Sequence, residues 1–132
     1  MSNNVPNEET AKAVEVILEA IKERYGLVPF IFKVLSRRPD IFIPHTELAS
    51  NIFLKTKALS PKLVELIALS AAIALKSEYC TEVHTKQAYQ FGASIGEIFE
   101  TMLVSSFVSL TSSEAVAFRK LVEFEKSIQK RK

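Results

Sequence analysis

Residues 63 to 75 read LVELIALSAAIAL, and only Glu65 and Ser70 among them are polar. Ser60 and Pro61 stand just before, a capping hydroxyl followed by a proline at the first helical position, where a missing backbone N–H costs nothing. The stretch therefore predicts a helix with no face left for water. Such a helix belongs at the centre of a fold, with other helices around it.

The flanking sequence supplies those helices. Upstream, Val14, Ile17, Leu18, Ile21 and Tyr25 fall at helical spacing, Glu15, Glu19, Lys22 and Glu23 take the other face, and Gly26 stops the run. Leu27 to Leu35 is a short apolar piece opened by Pro29. Pro39 and Pro44 bracket IFI, which predicts a boundary there and a helix from about Pro44 to Lys55. Downstream, Ser77 caps a helix running to Phe91 and ended by Gly92. SIGE at 94–97 is a capping box opening a helix to about Leu110. TSSE at 111–114 repeats the signal for a last helix carrying Val116, Ala117, Leu121, Phe124 and Ile128. No convincing strand alternation and no fixed repeat occur. The expectation is an all-α fold, a single-domain bundle of about six or seven helices over residues 1–132, with 1–8 as a flexible arm.

Composition agrees. The chain has 132 residues, 48% hydrophobic and 24% charged, which suits one globular domain. Three glycines and five prolines are too few for the turns of a sandwich or barrel. The net charge of +2 gives no footprint for nucleic acid, and Lys126, Lys130, Arg131 and Lys132 read as a solvated helix end. A single cysteine excludes an internal disulfide. With the polar N-terminus MSNNVPNEET it points to a reducing cytoplasm. No stretch approaches the ~18 consecutive apolar residues of a membrane span, so no membrane partner is expected.

Two features carry candidate chemistry. An ionised carboxylate inside an apolar helix is costly unless a partner compensates. Glu65 either lies close enough to the helix start to reach water, or is carried into a pocket that needs an acid or a base. The second feature is SEYCTEVH at 77–84. Cys80 and His84 are four apart and share a helical face. A thiol in the first turn feels the positive end of the dipole, which favours the thiolate, and an imidazole can take its proton. Ser77 lies on the same side. The competing reading makes Cys80 a small apolar residue and His84 an ordinary surface one. One Cys, one His and a distant Glu lack the spacing of a structural zinc site, so no metal is expected. There is also no flavin, haem or nucleotide motif and no phosphate loop, so no cofactor is expected. His45 reads as a surface residue near a helix start.

Jointly, the apolar helix with Glu65, then S-E-Y-C-x-x-x-H, then FGAS-x-x-E-I, resembles the AhpD-like family, the alkylhydroperoxidase and carboxymuconolactone decarboxylase superfamily. Glu65, Cys80 and His84 match its glutamate, second cysteine and histidine. Gly92, Ala93, Ser94, Glu97 and Ile98 match the segment that follows, and SRRPDIF at 36–42 is similar to the family's lead-in to the preceding helix. The likeness covers residues 28 to 110. It implies an AhpD-like helical fold, a catalytic set of Cys80, His84 and Glu65 with Ser77 and Tyr79 as neighbours, and a homo-oligomer, trimer or hexamer. Ser77 stands where peroxidase members keep the resolving cysteine, and Tyr79 where some have a second histidine. A hydroxyl forms no disulfide, so a sulfenic acid at Cys80 would need an external thiol.

Three functions follow as expectations. The first is a thiol-dependent peroxidase with peroxiredoxin-type, antioxidant activity, using one cysteine and a Glu/His proton relay on a hydroperoxide. The second is a decarboxylase-like lyase in which His84 works on a small carboxylate or lactone. The third is a non-catalytic helical oligomer with a decayed site. Phe99, Met102, Leu103 and Phe107 serve either the core or an interface, and sequence alone does not separate these.

Overall fold

The computed structural model describes residues 7–130 and is helical almost throughout, with no strand among the described residues. Six helices follow in order: α1 (Glu8–Tyr25), α2 (Phe30–Leu35), α3 (Pro39–Leu54), α4 (Pro61–Ala74), α5 (Glu78–Gln90) and α6 (Ile95–Gln129). The all-α expectation holds, and six helices among the described residues fall within the six or seven expected. Of the arm expected at 1–8, residues 1–6 lie outside the described residues, Asn7 is the cap of α1 and Glu8 its first residue. Arg131 and Lys132 of the basic end also lie outside them.

The chain divides into two compact units, Met1–Pro61 and Lys62–Lys132. In the first, the Asn7 side chain accepts the Thr10 N–H at 2.8 Å to open α1. Gly26 closes it at φ 78°, a left-handed conformation that a side chain would disfavour. Phe42 is fully buried, and Phe32 meets it edge-on with ring centroids 6.4 Å apart. His45 is exposed beside Phe32, in keeping with its surface reading. The helix expected from Pro44 instead starts at Pro39, with Pro44 inside it. Pro39 supplies the start, and Arg38 grips Asp40 through two bonds of 2.8 and 2.6 Å in the first turn. Pro44 lies beyond that turn, so it has no N–H for the Asp40 carbonyl and its ring crowds that carbonyl.

In the second unit, α4 and α5 are joined by the three residues Leu75, Lys76 and Ser77. The Lys76 N–H reaches the Ile73 carbonyl at 2.9 Å, and the Ser77 N–H reaches that of Ala72 at 3.0 Å. Lys76 takes φ 55°, a conformation more often given to glycine. The turn after α5 repeats the pattern with Gly92 at φ 90°, the Ala93 N–H reaching the Ala88 carbonyl at 2.9 Å. Ser94 then opens α6 through a complete capping box, as the sequence predicts: its Oγ accepts from the Glu97 N–H at 3.1 Å, and Glu97 accepts from the Ser94 N–H at 2.8 Å.

Two expectations fail here. The helix ending near Leu110 and the one starting at TSSE are a single 35-residue helix. The hydroxyls that signalled a cap bond back to their own helix: Ser113 donates to the Ser109 carbonyl at 3.1 Å and Thr111 to that of Val108 at 3.2 Å. Capping needs a non-helical backbone at the cap residue, and no glycine or proline provides one there. Nor is α4 enclosed on all sides. Val64, Glu65, Leu69 and Ala72 are buried, whereas Leu63, Ile67 and Leu75 are exposed. The core of this unit is small: Leu69, Ala88, Ala93 and Ile98, with Leu66, Ile73 and Met102 against it. Three helices cannot surround one of their own number.

By length and composition alone, α6 is the one helix among the described residues that could cross a membrane, with a mean hydropathy of 1.2 over its most apolar window. Met102 belongs to the core, while Phe99, Leu103 and Phe107 are exposed. The buried Ser105 donates to the Ser70 carbonyl at 2.7 Å and ties α6 to α4.

Candidate active site

Helical periodicity explains how the site is assembled. On α4, Glu65, Leu69 and Ala72 are four and then three residues apart, so they share the buried face. On α5, Cys80, His84, Gln87 and Ala88 form the corresponding stripe. Burial increases along it: Cys80 is exposed, His84 half-buried, Gln87 and Ala88 buried.

Where the two stripes meet, His84 Nδ1 and Glu65 Oε2 are 2.7 Å apart. Glu65 is 1% exposed, and this number answers the question its sequence position left open. It does not reach water from the helix start. It is held inside the unit and bonded to an imidazole nineteen residues away. With the carboxylate ionised, and so an acceptor only, it is Nδ1 that carries the hydrogen. In the neutral imidazole Nε2 then keeps its lone pair and can take a proton. The carboxylate thus orients the ring, as the acid of a hydrolase triad orients its histidine.

Cys80 lies one turn before His84, at the exposed start of α5. Ser77 is the N-cap: its Oγ accepts the Cys80 N–H at a long 3.4 Å, so the hydroxyl is part of the turn that presents the cysteine. Tyr79 is exposed beside it. The structure thus brings Glu65 and His84 into contact, places Cys80 and Ser77 on the same helix turn, and leaves Tyr79 at the surface.

Sequence reasoning missed a second polar link. Lys62 at the start of α4 donates to Glu97 Oε1 at 2.8 Å, thirty-five residues away, while Glu97 also serves the capping box. The lysine and the Ser94 backbone N–H hold the Glu97 carboxyl down at about 2. Nothing local in the sequence signals such a pair. Gln87 was also missed; its spacing of three from His84 is the signal that places it on the inward face. The apolar groove of about 460 Å³ lined by Ile17, Ile21, Ile43 and Phe53 belongs to the first unit and contains none of these residues.

The fold is thus a helical one that buries a carboxylate against a histidine, one turn from an exposed cysteine. The carboxymuconolactone decarboxylase family profile matches residues 39–123, nearly two thirds of the chain, and the protein belongs to that family. Among solved structures it is similar to the alkylhydroperoxidase AhpD core from Rhodospirillum rubrum, with a TM-score of 0.70 and 21% identity over 87% of this chain and 88% of that one. The AhpD-like fold is thereby shown. No curated protein matches it significantly.

Proposed function

We propose that the protein is a one-cysteine thiol peroxidase of the AhpD type, with residues 1–132 acting as one domain. The carrying observation is the 2.7 Å bond from His84 Nδ1 to the buried Glu65, one helical turn from an exposed cysteine. His84 Nε2, directly or through a water, takes the Cys80 thiol proton. The thiolate attacks the distal oxygen of a hydroperoxide, the O–O bond breaks, and Cys80 becomes a sulfenic acid. The imidazolium returns its proton to the departing alkoxide, giving an alcohol. A small external thiol condenses with the sulfenic acid to a mixed disulfide and water, and a second thiol releases Cys80 as the thiol and leaves with the first as a disulfide. Glu65 is the positioning residue that holds the imidazole, and Ser77 shapes the turn at the sulfur.

The test is turnover of an organic hydroperoxide with added thiol. Wild type is expected to turn over, Cys80→Ser to lose all activity above background, and His84→Ala to fall by roughly 10²-fold or more. Equal rates in wild type and Cys80→Ser would end the reading. A second reading is favoured by the same bond, because the Glu65–His84 pair does not include the sulfur. In it the site is a lyase, like the decarboxylases for which the family is named, with Nε2 as general base on a small carboxylate or lactone. Cys80→Ser then keeps activity and His84→Ala loses it. If Cys80 is alkylated no faster than a free thiol and neither chemistry is found, the site is decayed. The reading also makes the protein a cytoplasmic homo-oligomer acting on small molecules.

A further inference from the structure

Along the outward side of α6, Leu103, Phe107, Leu110, Glu114, Ala117, Leu121, Phe124 and Ile128 follow one another at alternating steps of four and three. This is the spacing by which one helix lays a seam against another. The buried Ser105 lies midway between Leu103 and Phe107 in sequence and so on the opposite side of the helix, facing α4. The seam therefore points away from the unit's own core. Its six large side chains are between 47% and 64% exposed. At about half exposure they present roughly 600 Å² of apolar surface, against about 800 Å² per partner in a standard interface and 300–600 Å² for the largest patch of a typical monomer.

We propose that this seam is where two copies of the chain join, their α6 helices antiparallel about a two-fold axis. The inference rests only on the homo-oligomer part of the function proposed above, and names its surface. Reversing the stripe on itself matches large with large: Leu103 faces the partner's Ile128, Phe107 the partner's Phe124, and Leu110 the partner's Leu121. It sets Glu114, the one charged residue of the seam, against the small Ala117 of the other copy. A parallel pairing in register would face the two Glu114 carboxylates inside the seam, where like charges repel and burial is costly. Self-complementary contact of this kind closes as a dimer. Higher assemblies built on it contain whole dimers, so a hexamer accommodates it and a bare trimer does not.

Light scattering coupled to size exclusion on the full chain tests this. Wild type is expected at an even multiple of the chain mass. Leu110→Glu with Leu121→Glu should cut the mass at least twofold with helical circular dichroism retained, while Lys126→Glu, on the opposite side of α6, should leave it unchanged. A wild-type monomer or trimer, an undiminished mass for the seam variant, or a protein that floats as monomers with phosphatidylcholine–phosphatidylglycerol vesicles would each overturn the proposal. If the seam variant unfolds, Ala117→Cys in a Cys80→Ser background decides. Position 117 lies near the centre of the seam, so a short bis-maleimide should link two copies there, and failure to link them overturns the proposal. None of these readouts uses turnover, so the peroxidase reading can fail while this one stands.

Discussion

Removing the imidazole from the buried carboxylate should destabilise the protein far more than neutralising the carboxylate. In His84→Ala the ring that bonds Glu65 at 2.7 Å is gone, while Glu65, 1% exposed, stays inside the unit. Taking the hydrogen-bond donor away from a buried carboxylate costs about 3 kcal/mol, because the charge keeps its desolvation penalty and loses its bond to the imidazole. Glu65→Gln keeps the shape and an acceptor oxygen and loses only the charge. Charge-assisted bonds are about twice as strong as neutral ones, so that change should cost about 1 kcal/mol. At ~2.1 cal/mol/K of unfolding entropy per residue, these costs lower the melting temperature by ~10 °C or more and ~4 °C respectively. The assay is thermal unfolding by circular dichroism at one protein concentration, with the double variant closing a thermodynamic cycle. Adding Glu65→Gln to His84→Ala should recover part of the loss, since the buried charge is then removed. A His84→Ala melt within ~2 °C of wild type, at about 0.5 kcal/mol, would refute the picture of a buried carboxylate held by the imidazole.

Acid should act through Glu97. Its carboxyl is held at about 2, below the ordinary 4.5, chiefly by Lys62 and then by the Ser94 backbone N–H. A depressed carboxyl contributes stability that is complete above the unfolded value and is lost as the pH falls from about 4.5 towards 2. Comparing the urea midpoints of wild type and Lys62→Met across that window should show a gap at pH 6 that narrows steadily towards pH 2; a constant gap would contradict the assignment. Gly92→Ala should cost about 1 kcal/mol, read as a melting temperature lower by ~4 °C, because at φ 90° a side chain is strained even with nothing within 4 Å of the added carbon.

Much of the fold was legible because its signals are local. A cap is decided within four residues, so Ser94 and Glu97, and Ser77 before Cys80, could be read from their spacing alone. The same local grammar misread TSSE at 111–114, since a serine that caps and a serine that bonds back to its own helix look identical until the backbone is known. It also misplaced the start of α3, where Pro39 rather than Pro44 leads.

The sequence by itself determined most of the helices, the face shared by Cys80 and His84, and the family to which the chain belongs, because each depends on the order and spacing of nearby residues. Tertiary structure alone decided that Glu65 is buried against His84, that Lys62 meets Glu97, and which side of α6 is turned outward. Those outcomes depend on which faces meet after packing. Contacts between residues nineteen or thirty-five positions apart leave no mark in local periodicity.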